Sequence, residues 1–138
     1  MKLSTYLSVI LAAFITFTSC TKSTPASTTP NYPIDGLWIG TYTYKTQSPL
    51  FFSFSIYQDG TMSYKSLGAN GYTFYAVGNW TLSDTIFNYH VVTTNVPGGI
   101  QSTQIGTAVF HHSGLLTSGI NTDSATNSSG TFTMQRDN

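Results

Sequence analysis

Asp35-Gly36-Leu37-Trp38-Ile39-Gly40-Thr41-Tyr42-Thr43-Tyr44-Lys45 is the first stretch of the chain that reads as a β-strand, and its parity decides the fold. Successive side chains of an extended chain point to opposite faces, so Trp38, Tyr42 and Tyr44 share one side. The opening Gly-x-aromatic figure returns at Gly40-Thr41-Tyr42, Gly78-Asn79-Trp80 and Gly130-Thr131-Phe132. We read the stretch as the first stave of a small antiparallel barrel with its even positions inward.

Working outward, runs rich in Tyr, Phe, Trp, Thr and Val continue along the chain, broken by turn residues. They predict eight strands: Gly36–Lys45, Leu50–Tyr57, Thr61–Leu67, Tyr72–Leu82, Thr85–Thr94, Gln101–His111, Leu115–Asn121 and Gly130–Arg136. Connections this short imply antiparallel neighbours, because parallel pairs need long crossovers. Three hairpins can be put in register. A three-residue Gln58-Asp59-Gly60 loop with Gly60 left-handed opposes Ile56 to Met62 and Phe54 to Tyr64, which matches the apolar faces. A two-residue Ser83-Asp84 turn opposes Trp80 to Phe87, Gly78 to Tyr89 and Ala76 to Val91, laying an aromatic ring over a strand glycine. His112-Ser113-Gly114 opposes Phe110 to Leu116 and Ala108 to Ser118. Eight such strands expose two edges unless the first and last meet. The expected fold is therefore an all-β, eight-stranded up-and-down barrel, with a two-layer sandwich as the alternative.

Composition narrows the function. The 138 residues carry no Glu and a formal net charge of zero. Lys45, Lys65 and Arg136 are the only cations after Lys22, too few for the basic stripe of a nucleic-acid binder. The five aspartates (Asp35, Asp59, Asp84, Asp123 and Asp137) all fall at turns or strand ends, which leaves no poised acid–base pair for an enzyme. His111 and His112 are adjacent on extended chain and point apart, so they cannot chelate one ion. His90 lies opposite about residue 105, away from both. We expect no metal, no cofactor and no catalysis.

Ahead of the strands, Met1-Lys2 and the apolar run Leu7–Ile15 read as a secretory signal, since the run is too short to span a bilayer. The single cysteine follows in Phe17-Thr18-Ser19-Cys20. This resembles the lipobox of bacterial lipoproteins, with Phe17 in place of the usual Leu, and the resemblance implies that Cys20 is lipidated and becomes the mature N-terminus. By the same resemblance, the absence of Asp at Thr21 implies the outer membrane, and the lack of an acidic cluster after Cys20 implies its periplasmic face. Residues 20–33 are rich in Ser, Thr and Pro and cannot bury enough apolar surface to order themselves. The expected organisation is a leader over 1–19, a lipidated tether over 20–33 and a barrel over 34–138.

Gly36-Leu37-Trp38, with Arg136 on the Phe132/Met134 face of the last strand, resembles the lipocalin and wider calycin pattern. There a first-strand Trp closes the barrel floor and a late Arg packs over its ring. The Thr-Asp-Tyr segment of lipocalins is missing, and the chain looks more like the lipocalin-like lipoproteins of Bacteroidetes-type bacteria, which are mostly of unknown function. The inner face carries Trp38, Tyr42, Tyr44, Phe52, Phe54, Ile56, Met62, Tyr64, Phe74, Trp80, Phe87, Tyr89, Phe110, Leu116, Phe132 and Met134. An eight-stranded interior is just wide enough to be filled or to hold one small ligand. Tyr42, Tyr44, Phe54, Tyr64, Phe74, Trp80, Phe87, Tyr89 and Phe110 are the candidate ligand-binding residues, and Trp38 and Arg136 the structural seam. The expected partner is a small hydrophobic or amphipathic molecule. The alternative is a solid barrel that engages an envelope protein through outward Leu37, Ile39, Phe51, Tyr57, Tyr75, Val77 and Ile86. If Cys20 carries the anchor, cells fed an alkyne-tagged fatty acid will label the wild-type chain, and Cys20→Ala will lose both the label and membrane retention.

Overall fold

The computed structural model describes residues 31, 33–95 and 101–137. The leader, Cys20 and the tether up to residue 30 lie outside the described residues. Eight strands follow one another: β1 (Gly36–Tyr44), β2 (Leu50–Ile56), β3 (Thr61–Leu67), β4 (Thr73–Ser83), β5 (Ile86–Thr93), β6 (Thr103–His111), β7 (Leu115–Asp123) and β8 (Ser128–Arg136). Every boundary falls within two residues of the sequence reading. Each strand pairs antiparallel with its chain neighbours, and β8 pairs with β1 to close the barrel. That ladder, from Trp38↔Arg136 to Tyr44↔Gly130, leaves no edge to protect and rules out the sandwich.

The Asp59 hairpin forms as expected. Ile56 opposes Met62 and Phe54 opposes Tyr64, and Gly60 takes φ +85°. Asp59 accepts from the Thr61 amide at 2.9 Å and its hydroxyl at 2.6 Å. The next hairpin differs. The turn is Asp84-Thr85, with Asp84 at φ +54°; Ser83 pairs with Ile86, Leu82 with Phe87, Trp80 with Tyr89 and Gly78 with Val91. The shift is two residues, so every side chain keeps its face and only its partner changes. At the third hairpin Phe110 opposes Leu116 as read, but Ala108 does not pair with Ser118. Ser118 is extruded as a bulge at φ +52°, and the register moves by one so that Thr107 meets Ile120.

The inner face is the one the parity implies. Trp38, Phe52, Phe54, Met62, Phe87, Phe110, Leu116 and Val91 are the largest fully buried side chains. Their rings meet mostly edge-on or tilted, as in Phe52–Phe54 at 4.8 Å and Phe54–Tyr89 at 5.1 Å, the arrangement aromatic quadrupoles favour. Glycines make room for them. A Cβ on Gly106 would come within 2.2 Å of the Tyr89 ring, one on Gly119 within 2.5 Å of Phe132, and one on Gly130 within 2.5 Å of Tyr42. A ring over a strand glycine is thus used repeatedly, although Tyr89 covers Gly106 rather than Gly78. At Gly40 and Gly78 a Cβ would instead strike the neighbouring strand's backbone at 2.0 and 2.1 Å, marking tight bends of the barrel wall.

The floor is closed by the seam. Trp38 is fully buried, donates Nε1–H to the Ile34 carbonyl at 2.7 Å and meets Phe110 edge-on at 6.0 Å. Arg136 pairs with Trp38 across the ladder, and its guanidinium donates to the carbonyls of Pro33 and Asp35. Gly36 lies beneath that guanidinium at φ +130°, where a Cβ would sit 2.9 Å from Nη2. The Gly of Gly-x-Trp is therefore required both by conformation and by contact. We expect Gly106→Ala to push the Tyr89 ring off its seat and cost about 1–3 kcal/mol of stability. Denaturant titration measures the loss, and near-ultraviolet circular dichroism reports the displaced tyrosine.

Candidate functional site

The barrel's two ends differ. The turns at 57–60, 84–85 and 112–114 surround the Trp38 floor, while residues 45–49, 68–72, 94–95, 101–102 and 124–127 lie at the other end. At this second end a cavity of about 270 Å³ opens between the strands. Of the candidate ligand residues, Tyr42, Tyr44, Tyr64 and Phe74 line it, with Phe52 at its base. Phe54, Phe87 and Tyr89 pack below as solid core, and Trp80 and Phe110 sit toward the floor, Trp80 donating to the Tyr57 carbonyl at 2.8 Å. The nine candidates therefore divide into a mouth group and a plug group, with Trp38 and Arg136 beneath both.

Polar side chains that the aromatic reading passed over complete the mouth: Ser66, Thr93, Ser102, Gln104, Asn121 and Asp123. Their signal is parity. Ser66 continues Met62 and Tyr64, Thr93 continues Phe87, Tyr89 and Val91, and Gln104 precedes Ala108 and Phe110, so each is a polar residue at an inward position of its strand's mouth end. Asn121 escaped because the Ser118 bulge reverses parity along β7.

These groups form one directed chain. Tyr89 donates its hydroxyl to Asn121 Oδ1 at 2.6 Å, Asn121 Nδ2 donates to Gln104 Oε1 at 2.8 Å, and Gln104 Nε2 donates to Asp123 Oδ2 at 2.7 Å. The Ser102 hydroxyl donates to Asp123 Oδ1 at 2.7 Å, and the amides of Ala125 and Thr126 donate to the same oxygen at 2.8 and 3.2 Å. An ionised carboxylate only accepts, so Gln104 must present its NH₂ to it. Each amide up the chain is then oriented in turn, until Tyr89 is left as donor. Asp123 at the end of β7 thus has a second role beside shaping its turn.

The titration behaviour follows from this wiring. Burial alone would raise the Asp123 carboxyl, but donors from Ser102, Thr126, Gln104 and Ala125 outweigh it and hold the pKa below the usual value. Tyr89 goes the other way. Burial pushes its phenol well above the ordinary value, and the neighbouring Tyr64 and Tyr42 add to the effect. Burial likewise raises Tyr64 against the bond from Ser66, and Tyr42 against the opposing influence of the Asn121 amide. Among the described residues no group of three or more His, Cys, Asp or Glu side chains could hold a metal ion. Comparison of the chain with family models, with curated proteins and with solved structures found no match.

A phenol whose folded pKa is raised contributes stability that is fully present below its unfolded value of about 10 and lost as pH climbs above it. Unfolding free energy measured by denaturant titration is therefore expected to fall above about pH 10, and Tyr89→Phe to flatten that fall. Asp123 has the opposite sign, its contribution being lost only as pH drops below about 4 toward its lowered folded value.

Proposed function

We propose that this protein is a non-enzymatic carrier that binds one small hydrophobic or amphipathic molecule in the mouth of its barrel. The observation that carries the reading is the contrast between the two ends of one interior. The floor is packed solid with rings, whereas the mouth keeps a cavity of about 270 Å³ whose aromatic walls lead to a hydrogen-bonded polar group. Small-molecule sites are mostly apolar pockets of roughly 300–1,000 Å³ with a few placed polar groups, and this one falls just below that range. The Gly36-Leu37-Trp38 and Arg136 seam supports placing the chain among lipocalin-like lipoproteins. The Cys20 motif supports a lipid anchor in the bacterial outer membrane, on the periplasmic face.

A second reading, a solid interaction protein working through its outer wall, rests on Leu37, Ile39, Phe51, Tyr57, Tyr75, Val77 and Ile86, exposed by 38–54%. Polar side chains interrupt this set, although Leu37, Tyr75 and Val77 line one shallow depression. Leu37 and Ile39 pair with Ser55 and Ser53, and Val77 and Tyr75 pair with Ser63 and Lys65, so polar rows run between the apolar ones. The Lys65 ammonium lies 5.8 and 5.9 Å from the ring centroids of Phe51 and Tyr75. The wall favours solubility over docking.

Native mass spectrometry of protein extracted gently from its own membranes is expected to show a bound small molecule. A Thr93→Trp variant, its mouth filled, is expected to lose that molecule without losing the barrel. A clean unliganded mass together with a defined protein crosslink would favour the outer-wall reading instead.

A further inference from the structure

The polar end of the cavity is unevenly furnished, and this bears on which ligand it takes. Among the described residues that line it none is a Lys, Arg or His, and Asp123 alone is charged. Much of the remaining wall is ring surface: Tyr42, Tyr44, Phe52, Tyr64 and Phe74. Aromatic faces carry negative charge density and attract cations, and a carboxylate among them adds a full charge of the same preference. The acceptors are also the groups with capacity to spare. Asp123 Oδ2 takes one bond, from Gln104, while Oδ1 takes three, and Gln104 Oε1 takes one, from Asn121. Each such oxygen offers about two acceptor sites, so among the described residues Asp123 Oδ1 is full while Asp123 Oδ2 and Gln104 Oε1 each keep one. Gln104 Nε2, by contrast, has both hydrogens engaged, by Asp123 and by Ser102 at 3.3 Å.

The rim already shows the preference in use. Lys45 stands outside the cavity, and its ammonium lies 4.9 Å from the centre of the Tyr44 ring. An intramolecular cation thus occupies the same kind of surface that the cavity offers within.

Building on the carrier reading above, we infer that the mouth is selective for small organic ammonium compounds. The apolar body of the ligand lies among Tyr42, Phe52, Tyr64 and Phe74, and the ammonium is received by Asp123 Oδ2 and Gln104 Oε1. Fatty acids and other carboxylates are disfavoured, because they would bring a second negative charge beside Asp123 with no lining cation to meet it. The small volume restricts the body to about one ring or a short chain.

Calorimetric titration of the full-length protein in detergent with 2-phenylethylamine, 2-phenylethanol and phenylacetate varies the head group on one body. The amine is expected to bind at least tenfold more tightly than the alcohol, and phenylacetate to bind weakest. Asp123→Asn keeps an acceptor for the Ala125 and Thr126 amides, and thermal melting checks that it folds. It is expected to weaken the amine several-fold more than the alcohol, erasing most of the difference between them. Equal binding of alcohol and amine, or tighter binding of phenylacetate, would overturn the inference and leave the carrier reading standing; so would an equal loss for amine and alcohol in Asp123→Asn. Binding of none of the three by the wild-type protein would remove both.

Discussion

The fold depends on one closure, the meeting of β1 and β8. Seven residue pairs join the first strand to the last, and at the floor end of that ladder Trp38 lies opposite Arg136. The indole fills the floor from inside, while the guanidinium gathers the carbonyls of Pro33 and Asp35 from the segment that leads into β1. Charge-assisted bonds of this kind exceed neutral ones in strength, and here they tie backbone about 100 residues away in sequence. Without this seam two strands of exposed amides and carbonyls would be left as edges.

Closure at eight strands sets the next constraint, which is width. The interior holds side chains with little to spare, and this chain loads it with rings. The glycines at 106, 119 and 130 are how the rings fit, each taking the place of a Cβ that would collide with Tyr89, Phe132 or Tyr42. The result is a gradient along the barrel axis: a dry floor around Trp38 and Phe110, a middle layer of Phe54, Phe87 and Tyr89, and a mouth where phenols meet amides and one carboxylate. Tyr89 links the layers, its ring in the core and its hydroxyl feeding the polar chain that ends at Asp123.

Parity made the fold legible. Alternation assigned the inner face strand by strand, and a period of two is insensitive to most errors of pairing. The same insensitivity explains the slip at the β4–β5 hairpin. Moving the turn from Ser83-Asp84 to Asp84-Thr85 shifts the pairing by two residues, so both present Trp80, Phe87 and Tyr89 inward, and the hydrophobic pattern cannot choose between them. The Ser118 bulge was hidden for a related reason, because a single inserted residue changes parity without leaving a turn residue to announce it. Half of the candidate site was legible as aromatic density. The rest, Gln104, Asn121 and Asp123, was passed over because polar residues near loops look like ordinary surface until the strands either side show that they point in.

Both described ends of the chain leave the barrel at the same place. Pro33 and Asp35 lie under the Arg136 guanidinium, and the Asp137 amide bonds the Leu37 carbonyl beside them. The full length of the strands therefore separates the floor, where residues 33–35 and 137 meet, from the end at which the cavity opens.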